Sequence, residues 1–461
     1  MTENTFQMTS PMPASARELF DWHIRPGAFR RLLPPWEDTR ILQECLVEDG
    51  AMAILRVPIG PFHARWTAQH EAVVDGKSFR DRQVHGPFAS WVHDHVFVPQ
   101  GKESQLQDRV SFVLPGGPLG RLGKGSAIDR LERLFSYRHE TTRRDLLRHA
   151  SWTGAPLRVA VSGASGLVGS ALCAFLRTGG HEVVELVRDQ AVRRPDQAQW
   201  STEQGILEPE KLVDLDALVH LAGAGIADER WTPERMALLR SSRVEATERL
   251  LGSIRESVGL PAVVAVASAI GYYGDRGDEV LDESSRPGEG FLAELCQDWE
   301  AAARDVASDT TRVCSMRFGI VTTPTGGALK RMLLPFKLGG GGPVGGGRQW
   351  MSWVSIDDAV HAIFHILTHD AMTGPINVCS PQPVTNRDWG KTLGKTLKRP
   401  AILPLPAFAA RAAFGKLADP LLLASQRVSP SGLASSGFEF FDSELGSGLS
   451  RLLGRYRRER R

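Results

Sequence analysis

The sequence predicts an α/β protein: a doubly wound parallel sheet with further chain on its C-terminal side, preceded by a separate α+β unit. Two observations carry that expectation. From Leu157 onwards short apolar runs alternate with helical stretches, and the first run leads directly into three glycines spaced by three. Before residue 150 the texture differs: several short alternating segments are closed by one long stretch of helical periodicity. Alternating strands and helices build parallel sheets covered on both faces, whereas strands followed by one helix build an α+β layer.

In the first region the expected elements are a strand at Thr5–Met8, a helix at Ala14–Phe20, and strands at Met52–Val57, Phe62–His70, Ser90–Phe97 and Gln107–Val113. A final helix spans Ala127–His149. His93 and His95 share one strand face and read as core or cavity lining, with no metal site expected. In the second region the parallel strands are Leu157–Val161, Glu182–Val187, Ala217–Leu221, Ala262–Val266 and Arg312–Phe318. Beyond Pro381 come a helix at Asn386–Leu397, a Pro-rich stretch at Arg399–Pro406 and an apolar segment at Ala407–Leu423. The expected domains are 1–150, 157–380 and 381–461, with Thr153–Pro156 as a linker; roughly 150 residues per domain also gives about three units for 461 residues.

Composition narrows the function. A net charge of +2 sets up no global field towards nucleic acid or an anionic membrane. The basic tail Arg455–Arg461 has no aromatic platform beside it and reads as a solvated helix end. Cys45, Cys173, Cys296, Cys314 and Cys379 lie far apart without a Cys-x-x-Cys pair, which fits a reducing cytosol and argues against a zinc knuckle. Runs such as Pro261–Ile270 are too short to cross a bilayer, and the N-terminus has no secretory pattern. The expectation is a cytoplasmic protein without a membrane span.

The strongest local signal is Leu157-Arg-Val-Ala-Val-Ser-Gly163-Ala-Ser-Gly166-Leu-Val-Gly169. Glycines permit a tight turn, let the backbone approach a pyrophosphate and let helix pack on strand. The helix N-terminus then offers free N–H groups to phosphate. The pattern is GxxGxxG rather than the commoner GxGxxG. The second strand ends Val187-Arg188, about 20 residues further on, where an acidic residue suits NAD and an arginine suits the 2′-phosphate of NADP.

These residues resemble the extended short-chain dehydrogenase/reductase superfamily, and within it the YfcH-like nucleoside-diphosphate-sugar epimerase family. The resemblance rests also on His220-Leu-Ala-Gly223 with Ile226–Trp231, Ser268-Ala-Ile-Gly-Tyr-Tyr-Gly274, Gly339–Gly347 followed by Arg348-Gln-Trp, and Trp353–Asp358. It implies that Ser162, Gly163, Ser165, Gly166, Leu167, Val168 and Gly169 line the pyrophosphate and that Arg188 meets the 2′-phosphate. Leu221, Ala222 and Gly223 would lie at the adenosine side, and Ser268 where the superfamily places a catalytic hydroxyl. The N-terminal region, through Asp21-Trp-His and Arg25–Trp36, resembles the START-like helix-grip fold of polyketide cyclases, which implies an apolar-ligand cavity. Trp22, Trp36, Trp66 and Trp91 are compatible with such a cavity and equally with a solid core.

The sequence departs from the superfamily at its acid/base pair. Most members use Tyr-x-x-x-Lys on the helix after Ser268. Here the matching helix, Gly290–Glu300, places Phe291 and Leu295 at those positions. Tyr272 is the candidate substitute phenol, expected in a Gly-rich loop. His361, His365 and His369 recur at helical spacing but lack the glutamate of HExxH and read as one amphipathic face. Asp357 reads as the cap of that helix. Two functions remain open: an NADP(H)-dependent oxidoreductase or epimerase-family enzyme for a carbonyl or sugar-like small molecule, and a non-catalytic NADPH-binding sensor with an apolar-ligand domain.

Overall fold

A computed structural model describes residues 3–116, 123–188 and 194–456. The described chain divides into two compact units, one built mainly from residues up to Ala155 and one from Pro156–Leu176 and His181–Ser450.

The first unit is a seven-stranded antiparallel sheet: β1 (Asn4–Met12), β2 (Arg40–Gln43), β3 (Met52–Ile59), β4 (Phe62–Val74), β5 (Ser78–His85), β6 (Ser90–Gln100) and β7 (Glu103–Val113). Its spatial order is β1-β7-β6-β5-β4-β3-β2. Helix α1 (Ala16–Ile24) follows β1, held at its start by a capping box in which Ser15 and Glu18 exchange hydrogen bonds. The long helix α2 (Lys124–His149) closes the unit. Side chains of β6 alternate, so Trp91, His93, His95 and Phe97 all point inwards. Trp91 joins an apolar cluster with Phe6, Val110, Phe112 and Phe135. Phe97 joins another with Met12, Phe20, Trp22, Phe79 and Leu106. The two histidines sit between them.

The second unit carries the parallel sheet: β8 (Arg158–Ser162), β9 (Glu182–Val187), β10 (Gln197–Ser201), β11 (Gly205–Ile206), β12 (Ala217–His220), β13 (Val263–Ala269), β14 (Arg312–Phe318) and β15 (Gly374–Val378). The order is β11-β10-β9-β8-β12-β13-β14-β15, and only the short β11 runs antiparallel. The chain moves outwards from β8 to β10, then returns to pair β12 against the other side of β8. That reversal opens a crevice beyond the C-terminal ends of β8 and β12, where doubly wound sheets take ligands.

Two strands of the parallel sheet beyond those expected, β10 and β15, extend it on either side. In the first unit β2 and β5 also lie beyond the strands named from alternation; the inward side chains of β5 are Phe79 and the polar Asp81, which breaks the apolar pattern. Residues 457–461 of the basic tail lie outside the described residues. Among the described residues no helix is long and apolar enough to cross a membrane.

Candidate functional site

The cofactor end is built from backbone. β8 is buried throughout its last four residues and delivers Gly163 at φ +69°, a conformation that favours glycine. A Cβ at Gly163 would lie 2.8 Å from the carbonyl carbon of Leu221, and one at Gly169 would lie 2.2 Å from the Gly163 oxygen. The Gly166 N–H closes the turn on the Gly163 carbonyl at 2.9 Å. Helix α3 (Leu167–Thr178) starts immediately afterwards. Ser165 and Gly166 stay exposed at its mouth, while Leu167 and Val168 are half-buried. The turn therefore presents backbone N–H groups at a helix N-terminus with no side chain in the way, the cradle that a dinucleotide pyrophosphate requires.

Ser162 and His220 face each other across β8 and β12, Oγ to Nδ1 at 2.6 Å. The Leu221 N–H also donates to Ser162 Oγ at 3.2 Å. This bond ties the end of β12 to the glycine turn and so sets where Leu221, Ala222 and Gly223 run. Burial lowers the His220 imidazole to about 4, so it is neutral at ordinary pH. Arg188 is exposed just beyond the C-terminal end of β9, and residues 189–193 lie outside the described residues.

The ends of β13 and β14 are built from side chains. Ser268 pairs in register with Arg317. Ser268 Oγ donates to Glu300 Oε1 at 2.7 Å, from β13 to helix α4 (Phe291–Arg304). Arg317 donates two bonds of 2.8 Å to the same carboxylate, both partners being buried. The Arg317 guanidinium also lies 3.5 Å from the Tyr272 ring centre and donates to the Tyr273 hydroxyl at 2.9 Å. Tyr273 in turn donates to Asn377, and burial pushes its phenol up to about 12. The Tyr272 hydroxyl has no hydrogen-bond partner among the described residues. Tyr272 sits in a single 3₁₀ turn, Ile270–Tyr273, rather than in an irregular loop. On α4, Phe291 packs edge-on against Trp231 at 5.1 Å and Leu295 is in the core. Burial, then the nearby Glu300 charge, pushes the Cys296 thiol up to about 11, so it stays protonated.

Beyond Gly347 a groove of about 610 Å³ is lined by Asp278, Arg348, Trp350, Thr385, Arg387 and Asp388. The helix α5 (Ile356–Thr368) is capped by Ser355, whose hydroxyl accepts from the Asp358 N–H; the expected cap, Asp357, is buried in the first turn instead. Asp358 accepts the N–H groups of Phe441 and Asp442. His365 bonds Ser436 and stacks on His369, so these histidines serve packing of that helix.

A Rossmann sheet with this glycine turn, followed by a Ser268 strand and a Gly-rich loop, defines an extended short-chain dehydrogenase/reductase, and the comparisons with known proteins agree. The NAD dependent epimerase/dehydratase family model matches residues 159–379, a domain of unknown function matches 405–452, and polyketide cyclase/dehydrase and lipid transport matches 12–136. An epimerase family protein of Mycobacterium bovis is 42% identical over 291 residues, 63% of this chain and 96% of its own. The crystal structure of a nucleoside-diphosphate sugar epimerase from Corynebacterium glutamicum superposes with TM-score 0.81 at 32% identity, over 98% of this chain and 90% of that one. Human epimerase family protein SDR39U1, solved with NADPH, gives TM-score 0.60 at 33% identity, over 65% of this chain and all of that one. The chain belongs to the epimerase family of extended short-chain dehydrogenases/reductases, with a polyketide-cyclase-type domain at its N-terminus.

Proposed function

We propose that the chain is an NADP(H)-dependent oxidoreductase or epimerase-type enzyme for a carbonyl or sugar-like substrate. The observation that carries this is the strand–glycine turn–helix of β8 and α3 with Arg188 beyond the end of β9. On this reading Ser162, Gly163, Ser165, Gly166, Leu167, Val168 and Gly169 hold the pyrophosphate, largely through backbone N–H groups. Leu221, Ala222 and Gly223 flank the adenosine. Arg188 takes the 2′-phosphate, which the NADPH bound by the human relative supports. Residues 1–150 would hold an apolar ligand, 157–380 the cofactor, and 381–461 the substrate side.

The nicotinamide supplies or accepts hydride when bound. The chain's own part is to move the accompanying proton. Tyr272 is the candidate: its hydroxyl is unengaged among the described residues, and the Arg317 guanidinium lies over its ring. Ser268 holds Glu300 and Arg317 in place through its hydroxyl and can still accept a bond from a substrate.

A second reading, a non-catalytic NADPH-binding sensor, draws on two observations. Phe291 and Leu295 carry no exchangeable proton, and the Ser268 proton is already given to Glu300. Following NADPH absorbance against a panel of carbonyl compounds and sugar nucleotides separates the readings. Turnover lost in Tyr272→Phe supports the enzyme; binding without turnover across the panel supports the sensor. Titration of the full chain with a fluorescent lipid analogue tests the apolar ligand, and no uptake would remove it.

A further inference from the structure

The N-terminal unit encloses a cluster of imidazoles and carboxylates that the cofactor site does not use. It is assembled across three neighbouring strands. Asp81 on β5 pairs in register with His93 on β6, and Asp108 on β7 pairs with His95. All four point inwards, between the two apolar clusters, and His93, His95 and Asp108 are buried. Phe79 stacks on His95 at 4.2 Å and Phe135 meets His93 edge-on at 5.0 Å. Asp81 is half-buried beside the buried Asp108, and a carboxylate removed from water needs a hydrogen-bonded or cationic partner.

We propose that Asp81, His93 and His95 form a binding site for a divalent transition metal of the zinc or iron(II) class. Their ligand atoms lie within 4.8 Å of one another. Asp81 Oδ2 is 3.2 Å from His95 Nε2 and 3.9 Å from His93 Nδ1. A metal with bonds near 2.1 Å spaces its ligand atoms about 3–3.5 Å apart, so small side-chain rotations complete the set. Two imidazoles and one carboxylate suit zinc or iron(II) and disfavour calcium and magnesium, which take oxygen. Three protein ligands leave a position for an oxygen donor such as water or a ligand carboxylate.

The surrounding bonds have the arrangement of an outer ligand shell. His93 donates Nε2–H to Asp108 Oδ1 at 2.8 Å, which leaves the Nδ1 lone pair facing Asp81. His95 Nδ1 is buried and 2.9 Å from the same oxygen, yet not aligned for a hydrogen bond. His139 donates to the other oxygen of Asp108 at 2.6 Å and is itself bonded to Ser10 at 2.8 Å. His70 donates to Asp81 Oδ1 at 2.6 Å, leaving Oδ2 for the ion. Carboxylates that orient ligating histidines in this way fix the tautomer and raise ligand basicity.

The test uses the full chain, stripped with a chelator and titrated with zinc against a chromophoric competitor. One equivalent of zinc is expected, and His93→Gln/His95→Gln, checked for folding by circular dichroism, should lose at least about 100-fold in affinity. Asp108→Asn should keep the stoichiometry and bind about 10–100-fold more weakly. Cobalt(II) loading of the unmodified chain adds a readout independent of any variant: visible ligand-field bands without a thiolate charge-transfer band are expected. The proposal is overturned if neither zinc nor cobalt binds, if a folded double variant keeps its equivalent, if thiolate ligation appears, or if only calcium or magnesium binds.

Discussion

β8 and β13 belong to one parallel sheet, yet their C-terminal ends present chemistry in opposite ways. At β8 the backbone does the work. Gly163 turns at positive φ, Gly166 closes the turn, and Gly169 lets α3 press against it; side chains there would only obstruct. At β13 and β14 the side chains do it: Ser268, Glu300, Arg317 and Tyr273 form a closed network, and Tyr272 lies against it. The first end offers backbone N–H groups at a helix N-terminus, an arrangement suited to phosphate. The second carries a buried ion pair, Glu300–Arg317, near a helix that has Phe291 and Leu295 where most of the superfamily has Tyr-x-x-x-Lys. One sheet end is therefore shaped by backbone, and the other by polar side chains already bonded to one another.

The largest effect should come from breaking the side-chain end. Glu300→Ala leaves Arg317 buried without its counter-charge and removes the acceptor of Ser268. It should destabilise the second unit by about 3–5 kcal/mol, read by urea unfolding. A loss of under about 1 kcal/mol would mean that water reaches Arg317 readily. At the backbone end, Gly169→Ala puts a methyl against the Gly163 carbonyl. It should cost about 1–3 kcal/mol and weaken dinucleotide binding; unchanged affinity would show that the turn does not touch the phosphates.

Acid should probe the bond between β8 and β12. His220 has an ordinary value near 6.5 in the unfolded chain and about 4 when folded, so the unfolded state takes up a proton first. Stability is full above about 6.5, falls as pH drops towards 4 by at most about 1.4 kcal/mol per pH unit, and levels off below. His220→Asn should flatten that part of the profile for the second unit. An unaltered slope in urea titrations at successive pH values would place the acid sensitivity elsewhere.

The same contrast explains what the sequence made legible. The glycine turn is contiguous, so strand, turn and helix can be read from thirteen successive residues, Leu157–Gly169. Phe291 and Leu295 likewise showed that the usual acid/base pair is missing. Glu300 and Arg317 gave no local signal, because the network joins residues on separate strands and a helix. The His93–His95 pair was visible on one strand face, but Asp81 and Asp108 come from flanking strands whose register no single segment records. The cap of α5 is Ser355 rather than Asp357, and Ser355 stands three residues before Asp358, the spacing at which a hydroxyl reaches a backbone N–H.

Titration calorimetry of the full chain with NADPH and with NADH tests the cofactor assignment most directly. A charge-assisted contact from Arg188 to the 2′-phosphate should make NADPH bind about tenfold tighter or more, and Arg188→Ala should abolish that preference while leaving NADH unaffected. Equal affinities for the two cofactors, or an undiminished preference in Arg188→Ala, would contradict it.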